Sequence, residues 1–198
     1  MNHTSFIPAS WNGEIQSRVT TISALLAKND IDAILFSDNV SLYYTSGRVF
    51  AGFTYITASG KVMYFVRRPI GFDDAPHVHY IRKPEMIPAL LPECPKRLAL
   101  KLDVTTVSEY RRLQNVFPEA EIVDCSAMMR AVRSVKSPFE QELLKVCGKH
   151  HEAAYRAIPS VFRPGMTDVQ FQIEIERLLR QEGCLGLFRV QGGSMELF

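Results

Sequence analysis

Apolar positions recur along this chain with two different periods, and the change from one to the other divides it. Ile15, Val19, Ile22 and Leu26 fall at i, i+4, i+7 and i+11, a single stripe that predicts a helix over 13–28. "DAILFS", 32–37, reads as a short buried strand. "DNVSLYYTSG", 38–47, follows as a helical turn closed by Gly47. "FTYITASGKVMYFVRR", 53–68, is two β-rich runs around Ser59-Gly60, a turn pair that tolerates positive φ, so a hairpin is predicted. Residues 69–95 hold six of the eleven prolines and read as a loop, the strand "HVHYI" (77–81) and a short helix near 85–91. "RLALKLD", 97–103, is a strand. A helix over about 106–116 ends before Pro118, "AEIVDCS" (120–126) is the last strand, and Ser126 starts a further helix. Strands alternating with helices predict an α/β domain, and the hairpin makes its sheet mixed rather than purely parallel.

After about Met129 the strand period disappears, which places a domain boundary near residue 130. Two helix starts follow. Ser137-Pro138-Phe139-Glu140 carries a capping box, with proline at the first helical position, and Thr167 with Gln170 repeats the arrangement. Gly183 is a natural stop for the second helix. On the first helix Phe139, Leu143, Val146, Cys147, Ala154 and Ala157 cluster on one face, with His150 at the centre of the stripe and His151 pointing away. On the second, Phe171, Ile175, Leu178 and Leu179 share one side, while Val169 and Ile173 lie off it, so the apolar surface is wide. Only "CLGLFRVQGGSMELF" remains to cover it, at most one or two strands. The expectation is therefore a second domain that is incomplete here.

Composition narrows the function classes. With 198 residues, 46% hydrophobic, 22% charged and a net charge of +2, the chain is ordinary for a globular protein, and nothing favours nucleic acid or an anionic membrane as partner. No apolar run reaches membrane-spanning length and the N-terminus lacks the pattern of a secretion signal, so the expected location is the cytoplasm. Cys94, Cys125, Cys147 and Cys184 are dispersed, and reduced thiols are expected.

Candidate chemistry is sparse. The tail acids Asp168, Glu174, Glu176, Glu182 and Glu196 read as helix-start and solvated positions rather than a metal site. His77 and His79, two apart, would share a strand face and could chelate, but no third ligand is suggested. Ser194 lacks the G-x-S-x-G context of a nucleophile, and Gly192-Gly193 reads as a turn. Trp11, Tyr43, Tyr44 and Arg48 look exposed near chain turns. Packing explains Tyr43 and Tyr44 equally well, and His150 reads as a partly buried packing or interface histidine.

Three segments carry a resemblance. "R-x-x-K-S-P-x-E", Arg133 to Glu140, "RPGMTD", 163–168, and "DNVSLYYTSG", 38–47, resemble in order and spacing the creatinase/prolidase/aminopeptidase P family of two-domain, pita-bread enzymes. Tyr44 stands where leucine is frequent in that family, and Ser46 is inserted before Gly47. The resemblance implies a ribonuclease H-like N-terminal domain over 1–130, then, over 131–198, a linker and the opening α+β part of a pita-bread catalytic domain. It implies a metal-dependent Xaa-Pro peptidase using two divalent ions (Mn, Co or Zn) that activate a water and polarise the scissile carbonyl. The family's two Asp, one His and two Glu ligands lie beyond the matching segments, so this chain is expected to be inactive alone. Its implied partners are the rest of the catalytic domain or a second copy, with the N-terminal domain serving oligomerisation and shaping the pocket, which makes Trp11, Arg48 and His150 the interface candidates. Two alternatives stay open: a stand-alone binding or oligomerisation module, and part of a creatinase-like hydrolase that is not a peptidase.

Overall fold

The computed structural model describes residues 9–184, with side chains from residue 11 onward. The expected turn at Gly192-Gly193, Ser194, Glu196 and the final strand lie outside the described residues. The chain divides into two compact units, Met1–Val135 and Lys136–Phe198.

The first unit is built on a six-stranded mixed sheet of order β4-β3-β2-β1-β5-β6. Helix α1 (Ala9–Lys28) starts earlier than the apolar stripe predicts, because Trp11 extends its buried face. Strand β1 (Ala33–Phe36) is buried at all four positions, as its central place requires. Asp38 caps α2 (Asn39–Ser46), its side chain accepting from the Ser41 N–H. Gly47 ends α2 with φ +70, and its N–H bonds Tyr43 O at 2.8 Å. A Cβ at Gly47 would also fall 2.0 Å from Trp11 Nε1, so this position needs glycine twice over, for conformation and for space.

The predicted hairpin is present as β2 (Ala51–Thr57) and β3 (Val62–Arg68), antiparallel, with Gly60 at φ +86 in the turn. A parallel β4 (Val78–Tyr80) borders β3. The short helix expected near 85–91 is instead two 3-10 turns, Pro84–Met86 and Pro88–Leu90. Pro88 has no N–H to continue an α-helix begun at Pro84, so each proline opens its own turn. Strands β5 (Arg97–Leu100) and β6 (Glu121–Asp124) run parallel to β1, with α3 (Val107–Val116), capped by Thr106, between them. Both strands are shorter than their apolar runs. At the end of β5 the Lys101 carbonyl accepts from Val104 and Thr105 as the chain turns away.

One face of the sheet packs α1 through Val19, Ile22 and Leu26 against Ile34, Phe36, Ile56 and Ala99, with Met129 of α4 (Ser126–Ser134) in the same cluster. The other face packs Leu113, Val116 and Phe117 against Leu35, Tyr55, Phe65, Leu98 and Leu100. Met129 is fully buried, which holds α4 in the first unit, the one that runs to Val135.

The second unit is described as two helices, α5 (Pro138–Val161) and α6 (Asp168–Gln181). Both capping boxes form as the sequence indicates, and Gly183 follows α6 at φ +88. The helices pack through Ala154, Val161 and Leu179 and an edge-to-face Phe162–Phe171 pair at 5.5 Å. Leu143, Leu144, Val146, Tyr155, Val169 and Ile173 remain exposed.

Candidate functional site at the rim of the sheet

The carboxyl end of β1 is a topological switch point. The chain leaving β1 enters α2, whose Leu42 joins Phe50 and Val66 in a cluster, and Tyr44 packs on the α1 side of the sheet. The chain leaving the neighbouring parallel β5 enters α3 on the opposite face. In open α/β sheets such divergence leaves a crevice, the usual place for a ligand. Here the crevice holds an ion pair. Lys101, 7% exposed, puts Nζ 3.2 Å from Asp38 Oδ1. Burial pushes Asp38 toward its neutral form, but the Ser41 hydroxyl and N–H and the Lys101 ammonium outweigh it, leaving the carboxyl below its ordinary range. Asp38 Oδ2 and Ser41 Oγ are buried without a well-aligned partner among the described residues. One strand further along, Asp124 Oδ1 accepts from Ser126 Oγ at 2.5 Å and from the N–H groups of Ser126 and Leu102, which holds that carboxyl below its usual range. Arg130 closes the rim on Asp103 at 2.6 Å.

Beside this crevice, Asn39, Val49, Phe50, Ala51, Arg68 and Ile70 line an open groove. Val49 is 55% and Ile70 92% exposed, and Val40 and Tyr43 add apolar surface near the start of α2. An exposed apolar strip edged by Arg68, beside a buried ion pair, is suited to contact with another protein surface or to walling a substrate cleft. It presents no nucleophile paired with a base.

The residues singled out in the sequence are distributed as follows. Trp11 is buried rather than exposed. It packs on Tyr43 at 5.6 Å and over the Arg18 guanidinium, whose Cζ lies 5.5 Å from its ring and 4.2 Å from that of Tyr44. Arg18, 7% exposed and bonded to Glu14 and the Tyr44 carbonyl, is the hub that sequence reading missed. Its one signal was a cation set beside Val19 in an apolar stripe. Arg48 is half-buried and donates to the Phe72 carbonyl at 2.9 Å, tying the end of α2 to the loop before β4. His150 is more than half exposed rather than packed, with Nδ1 2.9 Å from Glu182 Oε2. The described part of its stripe has no cover to bury it.

His77 and His79 do not converge. His79 stacks on Phe65 at 5.6 Å, His77 meets Tyr64 at a tilt at 5.4 Å, and these neighbours on β3 point to opposite faces. His77 precedes the strand, so the two-residue alternation does not reach it. Half-buried Tyr64 donates to the Thr45 carbonyl at 3.1 Å, and its pKa is pushed up to about 12 by burial. The thiol of Cys125 is pushed up to about 12, again by burial first and then by the Asp124 charge, which makes it inert packing. All four cysteines are free, as expected. The tail acids serve their helix: Asp168 accepts from the Val169 N–H, and Glu174 pairs with Arg177. Among the described residues no three His, Cys, Asp or Glu are grouped so as to hold a metal ion. The donor set of the described residues therefore does not fit the divalent pair that the resemblance implies.

Residues 18–135 match the family model described as the Creatinase/Prolidase N-terminal domain. The chain belongs to that family. The curated protein "Uncharacterized peptidase YqhT" of Bacillus subtilis (strain 168) is 27% identical over 89 residues, 45% of this chain and 25% of its own length. Among solved structures, an Xaa-Pro dipeptidase from Bacillus anthracis superposes with a TM-score of 0.72 at 19% identity, covering 85% of this chain and 49% of that one. The prolidase from Pyrococcus horikoshii OT3 gives 0.71 at 21% identity, covering 83% and 48%. The chain thus spans about half the length of these two solved relatives, and at these identities the likeness to them is one of fold. Among the described residues no helix is long and apolar enough to cross a membrane.

Proposed function

We propose that this chain is the N-terminal portion of a cytoplasmic, metal-dependent Xaa-Pro peptidase-like hydrolase of the prolidase/aminopeptidase P type. On this reading residues 131–198 open a pita-bread domain, and the metal ligands lie in sequence beyond this chain. The first unit serves oligomerisation and shapes the substrate pocket, using the groove at Val49 and Ile70 beside the Asp38–Lys101 pair. Arg48 sits behind that rim and holds it to the following loop. What supports the reading is one observation above the others: a family match through residue 135, followed by two well-capped helices whose apolar side chains stay exposed. An amphipathic pair of this kind needs a further layer, which the remaining catalytic domain or a second copy would supply.

The test compares two proteins. Protein made from the whole reading frame, supplied with Mn2+, is expected to release proline from Xaa-Pro dipeptides, while the 198-residue chain under the same conditions is expected to release none. Turnover by the 198-residue chain alone, or hydrolysis of creatine in place of Xaa-Pro by the longer protein, overturns the reading. Light scattering over a dilution series reports the association; a monomer at every concentration removes the oligomerisation role.

A further inference from the structure

A second cavity, unused by the reading above, lies in the first unit between the hairpin turn and the segment leading into β5. It measures ≈ 350 Å3, within the range of small-ligand pockets. Met63, Pro92 and Pro95 give it an apolar wall. Its charged groups are Asp32, Glu93, Lys61 and Lys96, with Tyr55 beside them and the Thr57 and Ser59 hydroxyls bonded to each other at 2.9 Å. Two acids and two bases share this one space, yet among the described residues no ion pair joins any of the four. Elsewhere on the same unit opposite charges within reach do close, as in Arg97–Glu121 at 3.1 Å and Arg112–Glu85 at 2.8 Å. Asp32 commits only Oδ2, which accepts from the Lys96 and Arg97 N–H groups at 2.8 and 2.9 Å.

Tyr55 is the decisive residue. It is 3% exposed and its ring belongs to the core, yet it lines the cavity. Its hydroxyl makes no hydrogen bond among the described residues and is not one of their fully enclosed, unpartnered polar atoms, so it opens to the cavity. Burial first, then the charges of Cys94, Asp32 and Glu93, hold the phenol in its protonated form. The cavity therefore sets the Tyr55 hydroxyl and two carboxylates beside two lysine ammonium groups.

We propose that this cavity binds a small zwitterion, an α-amino acid or dipeptide, with its ammonium held by Tyr55, Asp32 and Glu93 and its carboxylate by Lys61 and Lys96. Such a ligand answers both unpaired sets at once, and its side chain meets the Met63–proline wall. A ligand carrying one charge would leave one set unanswered. The acceptor for the ammonium is the Tyr55 oxygen together with Asp32 Oδ1, the oxygen that the backbone does not use.

Isotope-labelled full chain is titrated with L-alanyl-L-alanine and followed by backbone amide shifts, with N-acetyl-L-alanine (no ammonium) and L-alaninamide (no carboxylate) as controls. Saturable shifts are expected around Tyr55, Lys61 and Cys94, with each control at least about tenfold weaker. Tyr55→Phe, which keeps the ring, and the double variant Lys61→Met/Lys96→Met are each expected to weaken the dipeptide about tenfold. The two exposed lysines provide an arm that leaves the core untouched, should the tyrosine variant fold less well. No saturable shift into the tens of millimolar, equal binding by either control, or dipeptide affinity unchanged in the lysine double variant overturns the proposal.

Discussion

The two units carry the same kind of amphipathic helix and treat it in opposite ways. In the first, the stripe of α1 ends on a sheet, and Ile22 and Leu26 are fully enclosed. In the second, α5 and α6 enclose Ala154, Val161 and Leu179, while Leu144 stays 57% and Ile173 59% exposed. A sheet offers a helix a broad flat partner, whereas one helix offers another only a narrow seam. The first unit is therefore complete in its own packing. The second is held in shape by its ends, through two capping boxes, more than by its middle.

That contrast breaks if core truncations cost the same in both units. Leu98→Ala, fully buried on β5, is expected to lower unfolding free energy by about 2–5 kcal/mol, read by urea denaturation. Gly47→Ala comes next, at about 1–3 kcal/mol, since it forces a side chain into left-handed backbone against the Trp11 indole. A value near zero there would mean that the end of α2 is free to move. Lys101→Met should cost about 1–3 kcal/mol by leaving the Asp38 carboxylate buried without its cation.

The Asp38 contribution also has a pH signature. Its carboxyl is more acidic folded than unfolded, so the stabilisation is present above about pH 4 and is lost as pH falls through the lower, folded value. Asp38→Asn should flatten that acid limb in a series of urea midpoints, and an unchanged limb would remove Asp38 as its source. At the small end, Leu144→Ala should shift the midpoint by no more than about 0.5 kcal/mol. His150→Gln should stay under about 1 kcal/mol, because its pair with Glu182 is largely solvated.

Much of the fold was legible because local chemistry and tertiary packing agreed. The α1 stripe, the hairpin at Gly60, the α2 end at Gly47 and both capping boxes are each written within a few residues. The run around Pro84 and Pro88 was not, since its length suits a helix and only the second proline's missing N–H forbids one. The candidate site was less legible still. Lys101 and Asp38 are 63 positions apart, and only parallel pairing of β1 with β5 brings them together. Trp11 looked exposed for a related reason: its burial comes from Tyr43 and Gly47, which reach it through the fold. His150 shows the reverse failure. Helical periodicity assigns it a face, but periodicity cannot say whether anything covers that face.

The borders of the sheet carry a consequence for assembly. One side finishes on the three-residue β4 and the other on the four-residue β6, whose terminal positions are Glu121 and Asp124. Neither border offers a long, bare ladder of amides to a neighbouring molecule, and the acidic one repels its own kind. Copies of this chain that associate will do so through side-chain surfaces, not by extending one sheet into the next.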